Sequence, residues 1–88
     1  MVAFIQEIDN ELHQLNNYDP GSDSWYDTVE LIKMYLDVLN HAAVKAKEYV
    51  MDCKIRDIYS LLNSNKLDTV VKGVQELEKQ IVKWSSRF

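Results

Sequence analysis

The 88-residue sequence is poor in the residues that interrupt helices and in the residue that cross-links a fold. It has one proline, two glycines and one cysteine. A β-rich chain of this size needs many turns, and turns draw on glycine and proline, so their scarcity predicts an all-helical protein. A single cysteine, Cys53, excludes an internal disulfide and a cysteine-rich zinc site.

Long apolar runs are also missing, and none approaches the roughly 20 residues of a membrane span. The opening segment, MVAFIQEI, has no basic region, and its apolar stretch is too short for a secretory signal peptide. We therefore expect no membrane partner and a cytoplasmic protein, or a protein of the host cytoplasm if the chain is viral. With 47% hydrophobic and 27% charged residues, the composition predicts one globular domain over residues 1–88.

Positive charge is absent from the first 32 residues, which carry seven acidic side chains and a net charge of −7. Residues 33–88 hold all ten basic residues and seven acidic ones, a net charge of +3. Such asymmetry indicates either a charged partner or complementarity within the chain. The acidic residues of the first segment are Glu7, Asp9, Glu11, Asp19, Asp23, Asp27 and Glu30.

The first helix is marked by apolar residues that recur every three or four positions. We expect it to end by residue 17 or 18, because the segment DPG at 19–21 cannot continue a helix. Its apolar face consists of Met1, Ile5, Ile8, Leu12 and Leu15.

A second helix is predicted to begin at Ser24, because Ser24 and Asp27 match the capping-box pattern with Asp in place of Glu. Two neighbouring apolar stripes follow, and a face that wide is typical of a helix packed by two neighbours. No glycine or proline occurs from residue 22 to residue 72, but the apolar repeat loses its phase near Cys53. We therefore predict a break or kink at residues 51–55. One long helix over residues 24–62 is the alternative.

The last helix is predicted to follow a loop at residues 63–66, with Asn65 as its N-cap. Gly73 lies beside its apolar stripe and predicts the close approach of a neighbouring helix. Each predicted helix has one face to bury and the loops are short, which favours a small antiparallel helical bundle of three or four helices. The stripe consists of Leu67, Val70, Val71, Val74, Leu77, Ile81 and Trp84.

The turn before the second helix resembles the modification motif of acyl carrier proteins. In that family a serine at the start of a helix carries phosphopantetheine. Here Gly21, Asp23 and Ser24 precede a matching Asp-Thr-Val-Glu-Leu at 27–31, so the resemblance implies a carrier role for Ser24. Two residues, at 25–26, stand where the family has one leucine, which rotates the following helix face by about 100° relative to the serine. We favour a helix cap for this stretch.

A second stretch resembles histidine phosphotransfer domains, which present His-x-x-Lys-Gly on a bundle helix. The lysine that follows His41 is Lys45, one residue late, and no glycine is present. The resemblance implies a phosphorelay role for His41. A surface histidine that pairs with Asp37 one turn earlier is the simpler interpretation.

No arrangement of residues indicates a catalytic, metal or cofactor site. The two histidines, His13 and His41, lie on different predicted helices, and neither forms a His-x-x-x-His or Glu-x-x-His pair. No glycine-rich phosphate loop is present. The net charge of −4 disfavours direct binding of nucleic acid, because neutralised phosphates supply most of the non-specific affinity. We therefore expect no enzyme and no cofactor.

The leading hypothesis is a small acidic regulator or inhibitor that docks on a basic protein surface, such as that of a nuclease or a nucleic-acid-binding protein. Bacteriocin immunity proteins, antitoxins and phage-encoded inhibitors resemble this chain in size and charge. Methionine and aromatic side chains are favoured at interfaces. The candidate partner-binding residues are Glu7, Asp9, Glu11, Asp19, Asp23, Asp27, Tyr26 and Met34.

Two alternatives stay open. One is a structural homodimer or larger helical assembly, in which the acidic first helix lies against the basic last helix. The other is a carrier or phosphorelay protein. Ion pairs from the early acidic residues to Lys72, Lys79 and Lys83 would remove the argument for a foreign basic partner.

Overall fold

The computed structural model describes all 88 residues and contains four α-helices. They are α1 (Val2–Leu15), α2 (Asp23–Lys45), α3 (Tyr49–Leu62) and α4 (Leu67–Arg87). Each helix packs against the next one along the chain, and α1 also packs against α4, so the four form a closed ring. The short connections make neighbours antiparallel. The predicted all-α bundle is confirmed, with four helices.

One continuous core fills the ring and contains 19 buried hydrophobic residues. From α1 it receives Ile5, Ile8, Leu12 and Leu15, which is the predicted stripe apart from the half-buried Met1. Both tryptophans, Trp25 and Trp84, are buried in it.

None of the four helices is both long and apolar enough to cross a membrane.

A Schellman motif ends α2 and reverses the chain into α3. The backbone N–H of Glu48 donates to the Ala43 carbonyl at 2.8 Å, and that of Lys47 donates to the Val44 carbonyl at 3.1 Å. Lys47 lies between them in the left-handed region, with φ 59°. This position usually holds glycine, because a Cβ costs about 1–2 kcal/mol in that conformation. The break therefore falls at residues 46–48, and the predicted site at 51–55 is wrong.

The earlier break changes which residues of α3 are buried. Met51 is buried in the core. Cys53, two residues later, is exposed. Val50 continues the apolar repeat of α2, yet it is 76% exposed because the helix axis has already turned.

Polar side chains fix α2 against α3. The buried Lys33 donates from Nζ to Asn63 Oδ1 at 2.9 Å, where α3 ends. Asp52, 8% exposed in the first turn of α3, accepts from Asn40 of α2 and from the Nε of Arg56. No buried side-chain nitrogen or oxygen lacks a hydrogen-bond partner. Because each buried polar group needs its own partner, sliding α2 along α3 would leave several unpaired.

The hairpin of α3 and α4 depends on Gly73. A Cβ at this position would lie 2.9 Å from Leu61 Cβ and 3.2 Å from the backbone nitrogen of Leu62. The predicted close approach is therefore confirmed. The predicted N-cap at Asn65 is wrong, since Lys66 occupies the N-cap without a side-chain hydrogen bond.

We expect Lys47→Gly to raise the free energy of unfolding by about 1 kcal/mol, because glycine adopts a positive φ without the Cβ clash. Lys45→Gly, two residues earlier and inside α2, should lower it by about 1 kcal/mol. Urea denaturation followed by circular dichroism measures both. A loss of stability with Lys47→Gly would contradict the left-handed assignment.

Gly73→Ala should lower the free energy of unfolding by about 1 kcal/mol. The added methyl group pushes α3 away from α4, which costs about 1–3 kcal/mol of stability. The higher helix propensity of alanine offsets about 1 kcal/mol of that cost. The matched control is Lys72→Ala on the exposed side, which should change stability by less than about 0.5 kcal/mol. A more stable Gly73→Ala protein would show that the two helices can separate at little cost.

Candidate protein-binding surface

The turn between α1 and α2 positions the first acidic residues of α2. Gly21 adopts φ 89°, and Ser22, not Ser24, is the N-cap of the helix. The Ser22 hydroxyl accepts the backbone N–H of Trp25 at 3.3 Å. The predicted cap at Ser24 is therefore wrong by two residues. Ser24 lies exposed in the first turn of the helix.

The acidic residues of α1 flank its buried stripe on two sides. Asp9 lies on the α4 side, where it lines an open cavity together with Glu78. Glu11 is two residues further, about 160° around the helix, and therefore lies on the α2 side. Glu7 is one turn before Glu11 and shares its side of the helix. One helix thus displays carboxylates to two different surfaces.

The outer side of α2 carries the next group. Asp23, Asp27 and Met34 recur at helical spacing opposite the buried residues of α2, and all three are exposed. Met34 is 66% exposed. Glu7 and Glu11 lie on the side of α1 next to α2, and we call this group of residues on the two neighbouring helices the acidic face. Its residues are Glu7, Glu11, Asp23, Asp27 and Met34.

No cation neutralises the acidic face. The six ion pairs of the chain include none from Glu7, Glu11, Asp19, Asp23 or Asp27. Asp9 has only His13 as a partner, with Nδ1 3.6 Å from Oδ1. Lys79 pairs with Glu76 of its own helix. Charge complementarity within the chain predicts ion pairs between the early carboxylates and the lysines of α4. The structure contains no such pair.

Three of the candidate residues lie away from the acidic face. Asp19 lies in the turn that precedes α2. Tyr26 is seven residues before Lys33, so it faces α3, and its ring contacts Trp25 edge-to-face at 5.1 Å. Asp9 lines the seam between α1 and α4. The candidate set thus comprises one surface of five residues and three separate positions.

Residues of α4 beside Asp9 were not among the candidates. Glu78 and the exposed Val82 lie one helical turn apart and line the same cavity as Asp9. Their spacing from the apolar stripe places them at its edge, but only the packing of α4 against α1 brings them to Asp9.

The structure contains no group of three or more His, Cys, Asp or Glu side chains that could hold a metal ion. His41 is exposed on α2, with Nδ1 4.0 Å from Asp37 Oδ1 and 2.8 Å from the Asp37 carbonyl oxygen, to which it donates. These contacts agree with the simpler interpretation of His41, a surface histidine that pairs with Asp37 one turn earlier.

No protein-family model, no curated protein and no solved structure matches the chain. The resemblances of Ser24 and His41 to carrier and phosphorelay motifs stay hypotheses about short stretches.

Ser22→Ala should lower the free energy of unfolding by about 1 kcal/mol, because the N–H of Trp25 loses its acceptor. Ser24→Ala, two residues away and exposed, should change it by less than about 0.5 kcal/mol. Thermal denaturation of the pair compares them directly. A larger loss of stability with Ser24→Ala than with Ser22→Ala would show that Ser24 is the N-cap.

Proposed function

We propose that the protein is a non-enzymatic binding module that docks its acidic face on a basic surface of a partner protein. The observation that carries the proposal is the lack of any cation within 4.0 Å of the carboxylates of Glu7, Glu11, Asp23 and Asp27. Asp23 lies in the first turn of α2, where the helix dipole favours a negative charge. The other three carboxylates have no such stabilising contact, and the mutual repulsion of the four is a cost that a basic partner would relieve.

The composition of the surface supports a protein as the partner. Met34 is exposed among the carboxylates, and Val38, one turn further along α2, is also exposed. A flexible thioether adapts to differently shaped partners, and apolar side chains supply affinity that charge alone does not. The acidic side chains would increase the rate of association, and the apolar ones would lengthen the lifetime of the complex.

A second candidate is self-association, favoured by the separation of charge within the bundle. Lys72, Lys79 and Lys83 recur along the exposed side of α4, which lies across the ring from α2. The acidic face of one copy could contact this lysine row of another. Such a contact joins two different surfaces, so it closes into a ring or continues as a filament.

We expect a partner captured from the native cell at about 0.1 M salt to be lost at about 1 M, where the Debye length falls from about 10 Å to about 3 Å. The variant Glu7→Gln/Glu11→Gln/Asp27→Asn should weaken binding of that partner about tenfold, since exposed pairs contribute about 0.2–1 kcal/mol each. The measurement is quantitative pull-down with immobilised protein.

The control neutralises two carboxylates elsewhere, with Asp57→Asn/Glu76→Gln, and should bind like the native protein. Equal capture by both variants would contradict the proposal. Sedimentation velocity of the native protein over a range of concentrations separates the second candidate, since only self-association increases the sedimentation coefficient with concentration. A phosphopantetheine or phosphoryl adduct found by mass spectrometry on Ser24 or His41 would favour the carrier or phosphorelay alternative.

A further inference from the structure

Three of the four open cavities of the bundle lie along one seam, between α1 and α4. The largest of these three, about 290 Å³, is bounded by Leu15, Tyr18 and Trp25 on one side and by Val71 and Val74 on the other. Two more follow towards the chain ends, of about 190 Å³ and 140 Å³. The remaining cavity, also about 290 Å³, lies between α2 and α3. The α1–α4 seam thus contains more cavities than any other seam of the bundle.

The three cavities follow one another along the seam, and we treat them as one groove. The first two share Asn16 and Glu78 as lining residues. The third begins one helical turn further along, at Ile5 of α1 and Ser85 of α4. From Val71 to Phe88 the groove extends about 25 Å at 1.5 Å per residue. We call it the α1–α4 groove.

Apolar side chains line the groove and remain in contact with water. Val82 is 66% exposed and Val2 is 59% exposed, and Phe88 lies beside Val2 at the end of the groove. The two tryptophans mark its ends, Trp25 in the first cavity and Trp84 in the last. Exposed apolar residues aligned along a cavity differ from scattered ones, because one occupant can cover them together.

Negative charge is concentrated at the middle of the groove. Asp9 and Glu78 line the central cavity from opposite helices, and Glu78 has no ion-pair partner. His13 Nδ1 lies 3.6 Å from Asp9 Oδ1, and no lysine or arginine pairs with Asp9. Lys79 and Lys83 lie on the exposed side of α4, outside the cavity lining. The groove therefore has apolar ends and an acidic centre.

We propose that the α1–α4 groove binds an amphipathic α-helix of a partner protein, with a lysine or arginine near the middle of its apolar face. Both walls are helices whose backbone groups are already paired, so an extended strand would find no edge to pair with. A helix brings its own backbone hydrogen bonds and needs only a groove for its apolar residues at i, i+3, i+4 and i+7. Its central cation would lie between Asp9 and Glu78. The proposal does not depend on the function of the acidic face, with which the groove shares no residue.

The probe is a peptide of about 16 residues, which spans about 24 Å as a helix. It is built from alanine, glutamine and leucine, with leucines along one face and a single lysine at the centre of that face. It contains no aromatic residue. The matched peptide has glutamate in place of the lysine. Trp25 and Trp84 are the only tryptophans of the complex, so their fluorescence reports binding at both ends of the groove.

We expect the lysine peptide to change the tryptophan emission and to bind at least tenfold more tightly than the glutamate peptide. Asp9→Asn/Glu78→Gln should abolish that preference, because it removes both central charges. Val82→Gln should weaken the lysine peptide about fivefold. Val50→Gln, a change to another well-exposed valine on α3, should leave binding unchanged. Circular dichroism confirms that each variant is folded.

Three outcomes would overturn the proposal. The first is failure of both peptides to bind at about 1 mM. At that concentration a binding free energy of only about −4 kcal/mol already gives measurable occupancy. The second is equal binding of the two peptides to the native protein. The third is self-association of the native protein that Val82→Gln abolishes, which would assign the groove to a second copy of this chain. None of these outcomes bears on the salt-dependent partner of the acidic face.

Discussion

The reversal at Lys47 is the constraint on which the rest of the bundle depends. Without it, residues 23–62 could form one helix far longer than α1, and much of its apolar surface would lack a neighbour. The two hydrogen bonds from Glu48 and Lys47 back to α2 end that helix without glycine or proline. The strained φ of Lys47 is stabilised from both sides, by the polar contacts of α2 with α3 and by Arg87, whose Nη2 donates to Glu48 at 2.6 Å. The end of α4 is thereby fixed to the start of α3.

Closing the ring in this way leaves the α1–α4 seam as the only one without a connecting turn. The pairs α1–α2, α2–α3 and α3–α4 are each formed by consecutive helices with short turns, so their side chains meet in a register that the chain itself enforces. The helices α1 and α4 meet only because the other three contacts bring them together. Their packing is set by the core residues alone, and the outer edges of the seam stay open, with Val82 and Glu78 unburied. The seam without a connecting turn is also the one that contains three of the four open cavities.

The sequence predicted those parts of the fold that depend on uninterrupted spacing. The contact at Gly73 and the buried stripes of α1 and α4 follow from residue spacing, except that Leu67 is exposed and Met1 and Val71 are only half-buried. The position of the α2–α3 break does not, because lysine at the left-handed position carries no signal and Val50 continues the apolar repeat into exposed surface. In the same way, Ser22 and Ser24 are equally good cap residues by type, and only the backbone of the preceding turn selects Ser22. The acidic face was predictable from charge alone, but its separation from Asp9 required the packing of α1.

That separation limits what one partner can contact. Asp9 and Glu11 point about 160° apart around α1, so a flat basic surface that covers Glu7 and Glu11 cannot also reach Asp9. A partner that engages both must present two elements, a basic surface over α1 and α2 and a helix within the α1–α4 groove. Since α1 carries no lysine or arginine, neither element would meet a repelling side chain from this helix except His13 when it is protonated. Such a partner would enclose α1 from both sides. Its salt dependence would come from the acidic face more than from the groove, because the bound helix would cover the central charges and reduce their screening by ions.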